Sequence, residues 1–276
     1  MSDVPDFASV GIPGPAELKA CCAAVYEQDW LSLLLGDSYH PGGVGLTRRL
    51  ARALGLCPGM RVLDVASGTG ATAALLAREH GVDVVGIDRS PALVAAATRR
   101  AAEAGLADRV SFVVGDGEEL PLASGCFDAV VCECAFCTFP DKETGAAQMA
   151  RILRPGGRVG ITDVTVDRGR LDPDLMSLTG WVACLAGACS PGGYASLLED
   201  TGLRVLRTED HRGALLDLLQ RVEARLLTLV SLRLPAIPAI DPGAVRRWMG
   251  VARRTVASGA VGYSLLTAEK ANRSDL

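Results

Sequence analysis

Between residues 60 and 165 the apolar positions switch repeatedly between two spacings. Short apolar runs bounded by glycine, proline or acidic residues read as buried strands: "MRVLDVA" (60–66), "VDVVGID" (82–88), "VSFVVGD" (110–116), "FDAVVCECA" (127–135) and "RVGITDVT" (158–165). The intervening segments "GATAALLAREHG" (70–81), "SPALVAAATRRAAEAGL" (90–106) and "TGAAQMARILR" (144–154) are spaced for helices. Ser90 is placed to cap the second of these, with Pro91 at its first position. Strands alternating with helices in this way predict parallel βαβ units wound on both faces of one sheet.

The flanks follow a looser pattern. Residues 15–36 place Leu18, Cys22, Val25, Tyr26, Trp30, Leu33 and Leu34 on one helical face, and a loop (37–43) and a second helix (44–56) follow. Beyond Thr165 the pattern predicts helices over 172–188 and 190–202, a strand over 203–211, a long amphipathic helix over 213–234, a helix over 241–259 and a last strand over 260–270. The expected fold is α/β, a doubly wound, mostly parallel seven-stranded sheet. It divides into an amino-terminal helical segment (1–57), a core (58–165), and a carboxy-terminal part (166–276) holding a helical cap and the last strands of the same domain.

Composition narrows the classes of function. The chain has 276 residues, 49% of them hydrophobic, and a formal charge of −4, which argues against a nucleic-acid-binding face. Nearly all the basic residues are arginine, a bias expected of a GC-rich bacterial genome rather than of phosphate binding. The opening "MSDVPDFASVGIPGP" is acidic and broken by proline, unlike a signal peptide. No run of roughly 18 uncharged apolar residues is present, so no membrane span is expected. A cytoplasmic, reducing location would keep the nine cysteines as thiols, and an odd count disfavours a full disulfide framework.

The first strand runs into a tight loop, "VLDVASGTG" (62–70), which offers Asp64 and then Ala66, Ser67, Gly68 and Gly70. Small residues let the backbone approach a ligand closely. Asp88 ends the second strand about 20 residues on, where a carboxylate accepts ribose hydroxyls. Asp116 ends the third strand and suits an adenine amino group. The spacing is not G-x-G-x-x-G, and Asp64 would repel a pyrophosphate but suits a cationic amino-acid moiety. With "VVGIDRS", "GDGEELPL", "FDAVVCECAFCTFPD" and "RILRPGGRVGITD" following in order, residues 40–165 resemble the class I S-adenosylmethionine-dependent methyltransferases. Ala66 departs from the glycine usual there. The resemblance implies S-adenosylmethionine as cofactor, held by Tyr39, Asp64, Ala66, Ser67, Gly68, Gly70, Asp88, Arg89, Asp116, Gly117, Glu118, Cys132 and Glu133. It also makes 1–57 a lid, 58–165 the cofactor-binding core and 166–276 an acceptor-side cap. Tyr39, His40 and the Gly42-Gly43 pair sit where the amino-terminal segment would fold over the cofactor's methionine end. Glu133 would touch the cofactor or act as a base, or simply be a polar rim residue.

"CECAFC" (132–137) poses a separate question. A zinc site wants two cysteine pairs and only Cys134 and Cys137 form one, so no metal is expected. A redox pair usually opens a helix, and this one leaves a strand. Cys132 and Cys134 would share a face if the strand persists that far. Together with "TGWVACLAGAC", which carries Cys184 and Cys189, the segment resembles the arsenite methyltransferase branch. That resemblance implies a trivalent arsenical held by Cys134 and Cys184 as thiolates; the wider expectation is a soft acceptor, arsenical, thiol or selenium species, and Cys132 or Cys137 could substitute as a third ligand. The branch's upstream cysteines and cysteine-rich tail are missing. Two alternatives stay open: methylation of a small organic metabolite with the cysteines structural, and a non-catalytic thiol-based metalloid-binding protein.

Overall fold

The computed structural model describes residues 35–36, 39–171, 185, 187–231 and 241–272. The helices expected over 15–36 and 172–188, with Trp30, Trp181 and Cys184, fall almost wholly outside these residues.

Seven strands form one sheet. They are β1 (Arg61–Val65), β2 (Asp83–Asp88), β3 (Val110–Val114), β4 (Phe127–Glu133), β5 (Leu153–Val166), β6 (Leu203–Asp210) and β7 (Val261–Lys270). Their order is β3-β2-β1-β4-β5-β7-β6. The first five are parallel, and β7 runs antiparallel between β5 and β6. Winding reverses between β1 and β4, which opens a crevice at their carboxyl ends.

The helices are α1 (Gly43–Leu54), α2 (Ala71–His80), α3 (Pro91–Glu103), α4 (Lys142–Ile152), α5 (Pro191–Glu199), α6 (Arg212–Ser231) and α7 (Pro242–Ala257). Their starts follow from local chemistry. The Ser90 hydroxyl accepts from the Leu93 N–H, Asp141 from Thr144, Ser190 from Gly193, and Asp241 from Gly243 and Ala244. Pro91, Pro191 and Pro242 occupy first turns, where a missing N–H costs nothing.

Two cores flank the sheet. One gathers Leu46 and Leu50 of α1, Leu75 and Leu76 of α2, Leu215 and Leu219 of α6, and Val245 and Met249 of α7 against Val131 and Tyr263. The other packs Met149 of α4 and Tyr194 and Leu198 of α5 against Val130, Cys132 and Ile161. Both cores bury their side chains almost fully, and such burial of apolar area is the dominant favourable term in folding. Helices α6 and α7 lie in the chain between β6 and β7 and pack against β7, tied to each other by the Arg253–Glu223 ion pair.

Candidate cofactor cleft

Four acidic residues stand at the carboxyl ends of four neighbouring strands. In the order of the sheet they are Asp116 after β3, Asp88 on β2, Asp64 on β1 and Glu133 on β4. Three strand spacings separate the first from the last, roughly 14 Å. A cleft of about 1200 Å³, its open mouth included, runs along this row and is lined by all four.

At the outer end, Asp116 turns one oxygen to the Glu118 N–H (3.0 Å), and the Arg89 guanidinium lies 3.5 Å from the other. Gly117 is needed here, because a Cβ on it would meet the Phe139 ring. In the middle, Asp88 accepts from the Gly68 N–H (2.8 Å) and the Ser90 N–H (2.9 Å), so it closes the loop after β1 onto β2. That loop takes left-handed backbone at Ala66 (φ 59), Gly68 (φ 51) and Gly70 (φ 78). A Cβ on Gly70 would stand 2.5 Å from the Phe112 ring.

The inner end is the more deeply buried. Asp64 is 2% exposed, and among the described residues neither its Oδ2 nor the Ser67 hydroxyl has a hydrogen-bond partner. Burial, then the charges of Glu133 and Asp88, push the Asp64 carboxyl well above the usual carboxylate range. Glu133 accepts from Thr72 (2.8 Å) and Thr47 (3.0 Å), with Thr162 at 3.5 Å. His40 spans Pro41 O at Nδ1 (3.1 Å) and the Thr47 hydroxyl at Nε2 (3.2 Å), with Glu133 3.5 Å away.

Of the residues expected from sequence, Tyr39, Asp64, Ala66, Ser67, Gly68, Asp88, Arg89, Asp116, Gly117, Glu133 and Cys134 line this cleft. Three do not. Gly70 sits behind the loop as the residue preceding α2. Glu118 directs its carboxylate to the Asp141 N–H (2.9 Å). Cys132 is fully buried in the core against α4 and α5, on the opposite face of the sheet. Strand β4 ends at Glu133, and Cys134 adopts left-handed backbone (φ 55), so Cys132 and Cys134 do not share a face. Cys137 is also fully buried, and its N–H donates to Asp163 (2.8 Å). Cys184 lies outside the described residues. Among the described residues no three His, Cys, Asp or Glu side chains converge to hold a metal ion. Thr47, Thr72, Thr162 and Phe139 were not anticipated.

The row of carboxylates reproduces the order of donors along S-adenosylmethionine: an adenine amino group, ribose hydroxyls, then a cationic amino-acid end. The Asp64 Oδ2 and Ser67 Oγ, without partners among the described residues, have the chemistry to accept from such an ammonium. A family model described as a methyltransferase domain matches residues 62–157. The methyltransferase GfsG of Streptomyces halstedii is 36% identical over 177 residues, 63% of either chain. The 27-O-demethylrifamycin SV methyltransferase of Amycolatopsis mediterranei is 30% identical over 260 residues, 88% of this chain and 93% of its own. An arsenite methyltransferase of Halobacterium salinarum is 35% identical over 158 residues, 55% of this chain but 39% of its own. The chain thus spans less than two thirds of the first and third of these relatives and nearly all of the second. It belongs to the class I S-adenosylmethionine-dependent methyltransferases.

Proposed function

We propose that the protein methylates an oxygen nucleophile of a small, largely apolar organic molecule. The observation that carries this reading is the fate of the "CECAFC" thiols: Cys132 and Cys137 are sequestered in different cores, and Cys134 alone of the three lines the cleft. A soft centre needing several thiolates would draw on more than that. Ala135, Thr138 and Phe139 form the wall beside Cys134, apolar apart from one hydroxyl, which donates to the Ala135 carbonyl (2.7 Å). The rifamycin relative, whose name places its methyl on an oxygen, supports the same choice.

The cofactor supplies an electrophilic methyl group on sulfur. The chain's task is then to bind, orient and exclude water. Asp88 would take the ribose hydroxyls and Asp116 the adenine amino group. Asp64 and Ser67 would take the ammonium. The wall formed by Ala135 and Phe139 holds the acceptor against this assembly, where proximity does most of the work of displacement.

A second reading rests on Cys134 itself. A non-glycine residue held at φ 55 beside a ligand cleft is strained, and such strain clusters at functional sites. With the arsenite methyltransferase relative, this favours a trivalent arsenical as acceptor, shared with Cys184. One screen separates the two: S-adenosylhomocysteine release with phenols and alcohols, beside arsenite and a monomethylated arsenical, with products identified by mass. Oxygen methylation unaffected by Cys134→Ser supports the first reading. Turnover of arsenicals alone, lost in Cys134→Ser, overturns it in favour of the second. Arsenical binding without any methylated product would replace both with a thiol-based binding protein.

A further inference from the structure

Glu133 ends β4 with its side chain 4% exposed, and its two carboxylate oxygens differ in what they meet. Oε2 accepts from the Thr72 hydroxyl of α2 at 2.8 Å and from the Thr47 hydroxyl of α1 at 3.0 Å, with His40 Nε2 3.5 Å away. Among the described residues Oε1 meets only the Thr162 hydroxyl, at 3.5 Å, well beyond the distance usual for a hydroxyl donor, about 2.7–2.8 Å. That hydroxyl lies nearer the Tyr263 oxygen, at 3.1 Å. Buried carboxylate oxygens normally find close donors, so Oε1 is the half of this group able to accept from a bound molecule.

The side on which Oε1 stands narrows what that molecule is. Glu133 is the register partner of Thr162 on β5, so Oε1 faces β5, away from β1 and the row formed by Asp64, Asp88 and Asp116. The residues that follow it, Cys134 and Ala135, begin the wall against which the acceptor is held. His40 does not compete for the role, because Nδ1 is directed to the Pro41 carbonyl at 3.1 Å and Nε2 to Thr47 at 3.2 Å. Asp64 also has an oxygen without a partner among the described residues, but it stands on β1, within the cofactor row.

We propose that Glu133 is the catalytic base, Oε1 taking the proton of the acceptor's hydroxyl as that hydroxyl's oxygen takes the methyl group. The proposal rests on the oxygen-acceptor reading and gives the acceptor's proton a destination. Thr47 and Thr72 are positioning residues that hold Oε2 and so fix the direction of Oε1. The step balances. The O–H bond breaks with its electrons left on oxygen, a carbon–oxygen bond forms, and the carbon–sulfur bond breaks with its electrons left on sulfur. The carboxylate becomes a carboxylic acid, which returns its proton to solvent after the product leaves.

Steady-state rates of the full chain on 4-methylphenol and 4-nitrophenol read this role. In mildly alkaline buffer the first keeps its proton, as phenols do below about pH 10, and needs a base, whereas the second is largely ionised. Glu133→Gln should lower kcat on 4-methylphenol about 100-fold or more, and on 4-nitrophenol by less than about fivefold. The amide oxygen still accepts from Thr47 and Thr72, so calorimetry should find S-adenosylmethionine affinity within about threefold of the wild type. Should that variant fail to fold, Glu133→Asp, which keeps the charge but withdraws it by one methylene, carries the same contrast between the two phenols. Equal losses on both phenols, or a fall in cofactor affinity as large as the fall in rate, would overturn the proposal. A wild type that methylates neither phenols nor alcohols would instead overturn the oxygen-acceptor reading.

Discussion

Ala66 holds φ 59 in the loop after β1, where an L-residue with a Cβ is strained by about 1–2 kcal/mol. Glycine removes that strain but loses about 0.4–1 kcal/mol to a freer unfolded chain. Ala66→Gly should therefore leave stability unchanged or raise it by up to about 1.6 kcal/mol, seen as a melting temperature that does not fall. Asp88 works in the opposite sense. Its two backbone contacts, Gly68 and Ser90, hold it ready for a ribose, so Asp88→Ala should weaken S-adenosylmethionine by about 1.5–3 kcal/mol by calorimetry. Undiminished affinity in that variant would remove Asp88 from the site. Both residues were legible in the sequence, because a strand end followed by small residues or an acid declares its position locally. The threonines around Glu133 were not. Thr47, Thr72 and Thr162 are single hydroxyls on three separate elements, and only the packing of α1 and α2 against the sheet brings them to one carboxylate.

At the scale of elements, the strands and helices of the core lie within about five residues of the periodicity that predicts them; β5 begins at Leu153 rather than at 158, and the departure that bears on the cleft is at β4. The apolar run continues to Ala135, but the strand stops at Glu133, and the chain turns at Cys134 into a single helical turn, Phe136–Thr138. Alternation cannot register such a break, since apolar residues continue on both sides of it. The turn is anchored by Asp163 of β5, which is fully buried and accepts from the Cys137 and Val164 N–H groups (2.8 and 2.7 Å). Burial raises the Asp163 carboxyl from 3.8 to about 6, against the pull of those hydrogen bonds and of Lys142. The folded state thus keeps this proton to higher pH than the unfolded chain. Its contribution to stability is full below about pH 4 and is lost as pH rises through about 6, a change of up to about 3 kcal/mol. Asp163→Asn should flatten that part of the stability profile, measured by urea unfolding across the same range. A variant with the wild-type slope would show that another group titrates there.

For the whole molecule, the seven-stranded sheet depends on its last two strands closing over an insertion. Strands β6 and β7 are antiparallel neighbours, with Asp210 opposite Ser264, so a short turn could join them and α6 and α7 are not needed for connectivity. The helices matter through what they cover. Leu215 and Leu219 of α6 and Val245, Met249 and Val256 of α7 share one core with Leu46 and Leu50 of α1 and with Tyr263 and Leu265 of β7. Helix α1 in turn carries Thr47, which binds Glu133 at the inner end of the cleft. Replacing residues 212–259 by a short hairpin turn should therefore have two linked effects. It should bare the face of α1 and β7, giving aggregation and dye binding to exposed apolar surface. It should also loosen α1 and with it the Thr47–Glu133 contact, lowering S-adenosylmethionine affinity even in whatever soluble fraction remains. Size-exclusion chromatography and calorimetry on the shortened chain check both. A soluble monomer with wild-type affinity would mean that α1 is held by the sheet alone and that the cleft owes nothing to the two helices.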